Sequence, residues 1–399
     1  MEFFLIQKYI FFIMIKGQFP IQKFQELQTP FYYYDLDLLR STLNEIKTQA
    51  LKGNFHVHYA LKANVNKSVL HEIKKADLGA DCVSGGEVQA AIDAGISPSK
   101  IVFAGVGKAD WEINLGLDHD IFCFNVESVP ELEVINELAE KHQKKARVAL
   151  RINPNISAHT HHYITTGLSE NKFGINMSDL DSVVDLFPSL THLKLIGIHF
   201  HIGSQITDLS SFQSLCVRIN ELQQFFLSKK ITLEHINVGG GLGINYEHPN
   251  HIPIPDFDAY FKTFRDHLDL LPGQTLHFEL GRSVVAQCGS LISKVLFVKK
   301  GSSKQFAILD AGFTELIRPA LYQAYHHIEN ITSELPIEPY DVVGPICESS
   351  DTFAKGFNLN ATKRNDLIAL RSAGAYGEIM ASQYNLRQLP KAYTSDELK

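Results

Sequence analysis

Short β-rich runs alternate with longer helical stretches between about residues 38 and 290, and this alternation constrains the fold more than any other feature of the chain. Several of the runs are almost continuously apolar, as strands buried on both faces should be. Eight strand–helix alternations over about 250 residues are typical of the α/β class and predict a TIM-like (β/α)8 barrel. The predicted strands are 56–60, 80–83, 101–104, 121–125, 147–152, 195–200, 235–240 and 276–281.

The stretch 127–145 shows how the helices of this predicted barrel begin. A serine such as Ser128 accepts a hydrogen bond from a backbone N–H of the first turn, and Pro130 is tolerated in that turn. We therefore expect a helix that begins just after Ser128.

After residue 290 the pattern changes to strand-like runs joined by Gly, Asn and Pro turns, with few helical stretches. This pattern predicts a mostly β C-terminal domain, and TPFYYYD (29–35) predicts a strand that joins it. We expect the barrel to comprise residues 38–290 and the β domain to comprise 1–37 and 291–399. The strand-like runs are 290–300, 304–311, 340–347 and 365–373.

The composition narrows the class of protein and its partners. Because 45% of the residues are hydrophobic, the chain has ample material for a packed core and is not expected to be disordered. The net charge of -7 is the opposite of the basic excess of proteins that bind nucleic acid backbones. Five widely spaced cysteines without a CxxC pair indicate reduced thiols. We expect a cytoplasmic protein with neither nucleic acid nor membrane as a partner.

Residues 1–15 form an apolar stretch that the barrel pattern does not explain. Gln7 and Lys8 interrupt it, and the uninterrupted part, 9–15, is much shorter than the roughly 20 residues that span a bilayer. Glu2 and the lack of an A-x-A-like site disfavour a secretory signal. We expect an edge segment packed on the fold, or an extension that precedes a start at Met14.

Polar and glycine-rich segments follow five of the predicted strands. In a (β/α)8 barrel the active site lies where the carboxyl ends of the strands meet. We therefore expect these segments to converge on one rim and to suit a phosphorylated cofactor, although a turn that serves only packing is the alternative for GGGLG. The segments are Lys62, SGGE (84–87), HFHIGSQ (199–205), GGGLG (239–243) and ELGR (279–282).

Lys62 follows the first strand and is expected to point into the barrel mouth. A lysine desolvated there has a lowered pKa and can attack a carbonyl as the free amine to form a Schiff base, whereas a lone lysine is usually a solvated surface charge. Glu279, at the end of the eighth strand, is expected beside a cationic or hydrogen-bonding partner, because an unpaired buried carboxylate is costly.

Two histidine pairs, His56 with His58 and His199 with His201, alternate along their strands. Together with HTHH (159–162) they make a metal site the alternative interpretation. Metal sites usually add carboxylates or thiolates at defined spacing, and none is found here. We therefore expect core or stacking histidines and no metal.

Ten motifs occur in an order that resembles the fold-type III pyridoxal-phosphate-dependent decarboxylases, and within them the diaminopimelate decarboxylases. The resemblance extends from about residue 29 to 387. It implies an alanine racemase-like combination of a TIM-like barrel and a β domain, with pyridoxal 5'-phosphate as cofactor. The motifs are YALKAN (59–64), SGGE (84–87), KFGI (172–175), HFHIGSQ (199–205), GGGLG (239–243), ELGR (279–282), DAGF (310–313), IRPALY (317–322), GPICESSDTFA (344–354) and GAYGEIMAS (374–382).

The resemblance assigns the cofactor residues. It implies that Lys62 forms the Schiff base and that Glu279 pairs with the pyridine nitrogen, so that the protonated ring accepts the electrons left when carbon dioxide departs. His201 resembles the residue stacked on the ring. The other cofactor positions that the motifs imply are Ser204, Gly239, Gly240, Gly241, Leu280, Gly281, Arg282 and Tyr376.

The resemblance also assigns the substrate residues. It implies that Glu348 binds the distal amino group and that Cys347 protonates the carbanion as a general acid. In relatives these two residues come from the second subunit, which implies a homodimer with shared active sites. The catalytic set is then Lys62, His201, Glu279 and Cys347. The residues implied to contact the unreacting end of the substrate are Arg282, Arg318, Tyr322 and Tyr376.

Some of these residues have plainer interpretations. Cys347 could be a small hydrophobe buried in the core, as free cysteines often are. Arg318 and Tyr322 are four residues apart, so that a short helix would place them on one face, where surface stacking would explain them equally well. Tyr376 could be a turn aromatic.

The resemblance therefore implies decarboxylation of meso-2,6-diaminopimelate to L-lysine and carbon dioxide, the last step of lysine biosynthesis. Arg318 and Glu348 offer one charge of each sign, which matches the amino-acid group at the far end of this small-molecule substrate. The alternatives are a decarboxylase of arginine, ornithine or carboxynorspermidine, and a binding protein that has lost catalysis. The second is disfavoured because Lys62, Glu279 and Cys347 are all retained.

The chain departs from the family pattern at two places. Leu280 stands where the family usually has proline, which is expected to loosen the turn but to keep Glu279 and Arg282 in register. After YNLRQLP (384–390), relatives usually continue with another strand, and its expected absence would weaken the edge of the β domain.

Overall fold

The computed structural model describes residues 19–156 and 172–399, in two compact units. The described residues of the barrel unit are 40–156, 172–244 and 256–284, and those of the β unit are 19–39, 245–255 and 285–399. The predicted division at residues 38 and 290 stays a prediction. The apolar stretch 1–15 and the HTHH motif (159–162) lie outside the described residues.

Strands and helices are numbered in chain order within the described residues. The strands are β1 (Phe31–Tyr34), β2 (His56–Ala60), β3 (Gly79–Cys82), β4 (Ile101–Phe103), β5 (Cys123–Val126), β6 (Ala146–Asn153), β7 (Ile175–Asn176), β8 (Leu193–His199), β9 (His235–Asn237), β10 (Thr275–Leu280), β11 (Gly289–Lys300), β12 (Gln305–Leu309), β13 (Ile328–Asn330), β14 (Ile337–Val343), β15 (Thr352–Asn360), β16 (Leu367–Leu370) and β17 (Lys391–Thr394). The helices are α1 (Ile21–Glu26), α2 (Leu36–Leu51), α3 (Lys67–Lys75), α4 (Gly85–Asp93), α5 (Asp110–Asp118), α6 (Val129–Lys141), α7 (Leu180–Leu186), α8 (Ser210–Ser228), α9 (Phe257–His267), α10 (Arg282–Val285) and α11 (Arg318–Tyr322).

Eight parallel strands close the barrel, in the order β2, β3, β4, β5, β6, β8, β9, β10 and back to β2. Each coincides with one of the eight predicted runs, so the predicted (β/α)8 barrel is confirmed. The strands are buried almost throughout, which explains why the runs are nearly continuous in apolar residues. The two-residue strand β7, which pairs with β6, was too short to be predicted.

Serine caps begin the helices that follow two barrel strands. Ser128 accepts a hydrogen bond from the N–H of Glu131, with Pro130 in the first turn, so the predicted start of α6 is confirmed. Ser84 caps α4 in the same way, and the Glu87 carboxylate accepts from the N–H of Val83. The SGGE motif therefore caps α4, with the Glu87 carboxylate reaching back to the residue before the N-cap, and fixes where α4 begins.

The β unit is built on a mixed sheet in the order β13, β16, β11, β12, β14, β15. Strand β1 pairs antiparallel with β11, so the prediction that TPFYYYD joins this sheet is confirmed. On its other side β1 pairs in parallel with β17, with Phe31 opposite Lys391. The expectation that a strand is missing after YNLRQLP was wrong, because β17 follows that motif directly. The predicted mostly β domain is confirmed as a fold.

Within the described residues, no helix combines the length and the apolar character that a membrane crossing requires. All five cysteines are free; four are buried, and Cys347 is exposed.

Candidate active site

Lys62 lies in a 3₁₀ turn, Leu61–Ala63, directly after β2 and therefore at the carboxyl end of the barrel strands. Its Nζ lies 3.4 Å from Oδ2 of Asp81, the third residue of the neighbouring strand β3. The Asp81 side chain is 1% exposed and that of Lys62 is 37% exposed. Burial and the Glu279 carboxylate raise the pKa of Asp81, and Lys62 opposes this. The proposed Schiff-base lysine thus has a buried carboxylate as its ion-pair partner.

Glu279, near the end of β10, is buried, and three side-chain donors contact its carboxylate. Its Oε1 accepts from Nδ2 of Asn125 at 3.0 Å and from Nδ2 of Asn237 at 2.8 Å. Its Oε2 lies 2.9 Å from Nε2 of His199. The expectation of a hydrogen-bonding partner for this carboxylate is confirmed, although the partners were not identified from the sequence.

His199 is a neutral donor to this carboxylate. Burial, and next the nearby Arg151, lower the pKa of His199 to about 3. Its Nδ1 is buried with no hydrogen-bond partner among the described residues. A buried N–H without an acceptor is rarer than a buried nitrogen lone pair, so the proton is assigned to Nε2, which donates to Glu279. His199 is buried, as predicted for a core histidine.

The glycines of GGGLG bring bare backbone to the rim after β9. Gly239 has φ +69°, and a Cβ at Gly240 would lie only 2.0 Å from the carbonyl oxygen of Glu279. A side chain at Gly240 would therefore collide with the strand that carries the buried carboxylate. The packing of this loop against β10 thus requires glycine, and the same lack of side chains leaves its backbone open to a phosphate.

The residues predicted for a phosphate lie beside this loop. Arg282, the first residue of α10, donates from Nη2 to Oγ of Ser204 at 2.9 Å. The N–H of Gly240 points at Nδ1 of half-buried His201 at 3.5 Å. Burial and Lys62 lower the pKa of His201, so the ring is neutral. Leu280 ends β10, and Gly281 links it to α10.

The barrel unit therefore brings Lys62, Glu279, His201 and the glycine loop to one rim. Its donor set fits pyridoxal phosphate in two respects. Two donors fill the two acceptor positions of Glu279 Oε1, and a third donor fills one of the two positions of Oε2. The other position on Oε2 is left for a further N–H, such as that of a pyridinium ring. The glycine backbone and Arg282 supply donors of the kind that a phosphate takes.

Arg318, in the β unit, begins α11 and is buried. Its Nη1 lies 3.1 Å from Oη of Tyr246 and 2.9 Å from Nε2 of His326, and its guanidinium carbon lies 5.2 Å from the centroid of the Tyr246 ring. His326 Nδ1 lies 2.9 Å from the carbonyl oxygen of Arg371, so it carries the proton and leaves Nε2 as the acceptor for Arg318. The predicted short helix is confirmed, and burial contradicts surface stacking as the explanation for Arg318.

Two tyrosines of the predicted site also belong to the β unit. Tyr322 ends α11 one turn after Arg318 and is half-buried. Tyr376 has φ +57°, a left-handed conformation that is uncommon for an aromatic residue. Such outliers concentrate at functional sites, so this backbone is consistent with the predicted role of Tyr376.

Cys347 and Glu348 lie on the exposed loop between β14 and β15. The alternative that Cys347 is a buried small hydrophobe is therefore wrong for this chain. Glu348 accepts a hydrogen bond from Oη of Tyr384 at 2.7 Å. Buried Asp351 anchors the loop, because its carboxylate accepts from the N–H of Phe313 and from the N–H of Ile346, each at 2.7 Å.

The other histidine pair lies at the opposite end of the barrel strands. His56 and His58 begin β2, and His235 begins β9. His58 Nε2 lies 2.9 Å from Nδ1 of His277, and the rings of His56 and His277 stack with centroids 4.7 Å apart. No group of three or more metal-binding side chains with suitable geometry occurs within 19–156 and 172–399.

Sequence reasoning missed the residues that support the predicted site. Asp81 and Asn125 are single polar residues in otherwise apolar strands, and Asn237 ends the short buried strand β9. A polar residue in a buried strand was the available signal. Tyr246 and His326 gave no such signal, because they are separated from each other and from Arg318 in the sequence and meet it only in the folded unit.

Comparisons with known proteins agree with this geometry. Residues 36–286 match the family described as "Pyridoxal-dependent decarboxylase, pyridoxal binding domain". A relative from Bacteroides thetaiotaomicron, named diaminopimelate decarboxylase, is 66% identical over 385 residues, which are 96% of this chain and 100% of the relative.

Solved structures agree as well. The crystal structure of diaminopimelate decarboxylase from Helicobacter pylori complexed with L-lysine is 42% identical, with a TM-score of 0.88, and covers 94% of this chain and 93% of that one. The diaminopimelate decarboxylase from M. jannaschii in co-complex with L-lysine is 33% identical, with a TM-score of 0.86, over 96% and 91%. The chain therefore belongs to the pyridoxal-dependent decarboxylases and, among them, to the diaminopimelate decarboxylases.

Proposed function

We propose that the residues assigned above carry out the decarboxylation of meso-2,6-diaminopimelate to L-lysine and carbon dioxide. The observation that carries this proposal is the barrel rim, where Lys62 and buried Glu279 occur with a glycine loop that leaves its backbone bare. A relative named for this activity is 66% identical to the chain, and two solved relatives are complexed with L-lysine, the product of the reaction.

Pyridoxal 5'-phosphate is the cofactor, and its ring accepts the electron pair released when the carboxylate leaves as carbon dioxide. Lys62 supplies the amine that binds the cofactor covalently, and Asp81 Oδ2 holds that side chain at the mouth of the barrel. Glu279 would present its remaining acceptor position to the ring N–H. His201 lies beside the glycine loop, where it would stack on the ring.

The residues proposed to bind the phosphate and line the cofactor come from several of the motifs. Ser204 and Arg282, already hydrogen-bonded to each other, donate to the phosphate together with the backbone of the glycine loop. The positions proposed to line the cofactor in this way are Ser204, Gly239, Gly240, Gly241, Leu280, Gly281, Arg282 and Tyr376.

The substrate has an amino-acid group at its unreacting end, and the β unit supplies a charge of each sign for it. Arg318, held by Tyr246 and His326, binds the carboxylate together with Arg282, Tyr322 and Tyr376. Glu348 binds the amino group, and Cys347 delivers the proton to the carbon that has lost carbon dioxide. Ornithine lacks the second carboxylate, so buried Arg318 would have no substrate carboxylate to bind. This disfavours ornithine as a substrate.

We further propose a homodimer with shared active sites, in which Cys347 and Glu348 serve the barrel of the partner subunit. Both residues are exposed in the single chain, as a residue that acts in a partner's site must be. Large apolar side chains of the β unit are exposed as well, which suits a protein interface. They include Leu321, Tyr325, Ile379, Tyr384, Leu386 and Leu389.

Complementation tests the shared site. Lys62→Ala and Cys347→Ala homodimers are each expected to be inactive, and a refolded mixture should recover activity at about one quarter of the wild-type sites, because half of its dimers carry one intact site. A mixture as inactive as its components would contradict the shared site. Sedimentation of the wild-type chain as a monomer would contradict the dimer.

A substrate panel tests the function. The holoenzyme should release carbon dioxide from meso-diaminopimelate and much more slowly from ornithine, arginine or carboxynorspermidine. A preference for ornithine would remove the role given to Arg318.

We propose a cytoplasmic location for the enzyme, consistent with five free cysteines, and neither nucleic acid nor membrane as a partner.

A further inference from the structure

Glu279 is contacted by three side chains that come from three other strands of the barrel. Asn125 belongs to β5, His199 to β8 and Asn237 to β9. In the strand order β5 stands four places from β10, so Asn125 reaches Glu279 from the opposite wall of the barrel. A carboxylate held from opposite walls has its position fixed by the barrel itself.

The orientation of the Asn237 amide follows from a second hydrogen bond. Its Oδ1 accepts from the N–H of Gly239 at 2.9 Å, so its Nδ2 must be the atom that faces Glu279. Asn237 therefore links the carboxylate to the first residue of the glycine loop. The donor role of this amide is fixed by the backbone N–H and not by an arbitrary choice between nitrogen and oxygen.

The three donors are neutral and require Glu279 to be an anion. A protonated carboxyl group needs an acceptor for its own proton, whereas here both oxygens face N–H groups. Burial raises the pKa of Glu279, and Lys62, His58 and the Asn237 amide oppose it. Glu279 is therefore assigned the ionised form, since hydrogen bonds to a charged group are stronger than those between neutral groups.

Neutral donors and a cationic donor differ in the net charge that remains on Glu279 and its partners. An arginine or lysine bonded to Glu279 would neutralise it, whereas amides and an imidazole stabilise the anion and keep its charge. Within the described residues, every side-chain atom that hydrogen-bonds to Glu279 is neutral. The negative charge is thus preserved for whatever N–H occupies the remaining position on Oε2.

We propose that Asn125, Asn237 and His199 are positioning residues that keep Glu279 ionised and aimed at the ring nitrogen of the cofactor. This rests on the proposed function, because it takes Glu279 as the residue that faces that nitrogen. The three residues act through Glu279 and touch neither the substrate nor the reacting carbon.

The test compares two ligands that differ only at the ring nitrogen. Pyridoxal phosphate and its 1-deaza analogue, which has carbon in place of that nitrogen, are bound to the apoprotein, and each Kd is read from quenching of Trp111, the only tryptophan. The wild-type chain should bind pyridoxal phosphate more tightly. In Asn125→Leu and His199→Leu, which are close in shape but donate nothing, the ratio of the two Kd values should fall about tenfold.

Two variants control for structural damage. His199→Gln retains a donor and should keep most of the wild-type ratio. Asn330→Leu removes a matched amide in the β unit, which donates to the buried carboxylate of Asp366 at 3.0 Å, and should leave the ratio unchanged. If His199→Leu fails to fold, Asn125→Leu and His199→Gln give the answer.

A merely structural role would weaken both ligands equally, so an unchanged ratio in Asn125→Leu would overturn the proposal. Equal binding of the two ligands by the wild-type chain would also overturn it. Failure of the proposed function can be distinguished from failure of this proposal. A chain that does not act on diaminopimelate can still bind pyridoxal phosphate more tightly than the 1-deaza analogue.

Discussion

At the scale of single residues, two of the barrel's buried carboxylates are held in different ways. Glu279 is satisfied by neutral donors on both oxygens. Asp81 has Lys62 on Oδ2, while its Oδ1 is buried without a partner among the described residues. An unsatisfied buried oxygen costs free energy of folding, so its presence beside Lys62 indicates that function rather than stability selects this aspartate.

His326 is the residue for which a single substitution is most informative about the substrate. His326→Leu removes one of the two acceptors that hold Nη1 of Arg318 and leaves Tyr246, so the guanidinium is held less firmly. We expect KM for meso-diaminopimelate to rise about tenfold with a smaller change in kcat, since a hydrogen bond to a charged group is lost.

The neighbouring His327 provides the control. It is partly exposed and lies near Glu329 and Tyr325. His327→Leu should leave KM close to the wild-type value. Equal KM values for His326→Leu and the wild-type enzyme would show that Arg318 is not oriented by His326, or that Arg318 does not bind the substrate.

At the scale of structural elements, the loop between β14 and β15 is shaped by one side chain. Asp351 accepts from backbone N–H groups of Phe313 and Ile346, and the N–H of Gly344 donates to its carbonyl oxygen at 3.0 Å. A Cβ at Gly344 would lie 2.2 Å from Oδ2 of Asp351, so the carboxylate fills the space beside that glycine. The proposed proton donor, Cys347, lies between these anchors.

Asp351→Ala should release this loop while β14 and β15 remain paired. We expect kcat to fall at least about tenfold, because a misplaced general acid loses its contribution to proton transfer. Steady-state kinetics on the purified enzyme measure this.

Asp341→Ala is the matched control, since Asp341 accepts from the N–H of Gly356 in the adjacent strand at 2.8 Å and lies outside the proposed site. The role given to Asp351 is wrong if both variants lose activity to the same extent.

The elements themselves were largely predictable from the sequence, and the contacts between them were not. The barrel strands are apolar runs because both of their faces are buried, and that signal is local. Strand β15 escaped prediction because it has a left-handed Gly356 and only one buried residue, Leu359, so it lacks the apolar pattern of the barrel strands. Asn125 and Glu279 are 154 residues apart, so their hydrogen bond could not be read from any local pattern. The family resemblance supplied the roles of the site residues but not the residues that support them.

At the scale of the whole molecule, buried neutral histidines make stability depend on pH. His235 lies at the amino end of the barrel strands, and burial, with His58, His199 and His56, lowers its pKa to about 3. The pKa of His199 is also lowered to about 3. Both ring nitrogens of His235 lack partners among the described residues. The unfolded chain binds a proton on each residue below about pH 6.5.

The folded state therefore loses stability as the pH falls from about 6.5 towards 3, by roughly 1 kcal/mol for each such histidine at pH 5.5. His235→Leu should remove one of these contributions and flatten the dependence. Urea unfolding at pH 7.5 and 5.5 measures it. His71→Leu, at an exposed position in α3, should keep the wild-type dependence. An equally steep decline in His235→Leu would mean that His235 is not the titrating group.

The most direct measurement is the product balance of the holoenzyme on meso-diaminopimelate, with Lys62→Ala beside it. The wild-type enzyme should form L-lysine and carbon dioxide in equal amounts. Lys62→Ala should form neither and should not acquire the yellow absorbance of bound pyridoxal phosphate, because the amine that binds it is missing. Wild-type enzyme that forms no lysine with cofactor bound, or Lys62→Ala that retains turnover, would contradict the account.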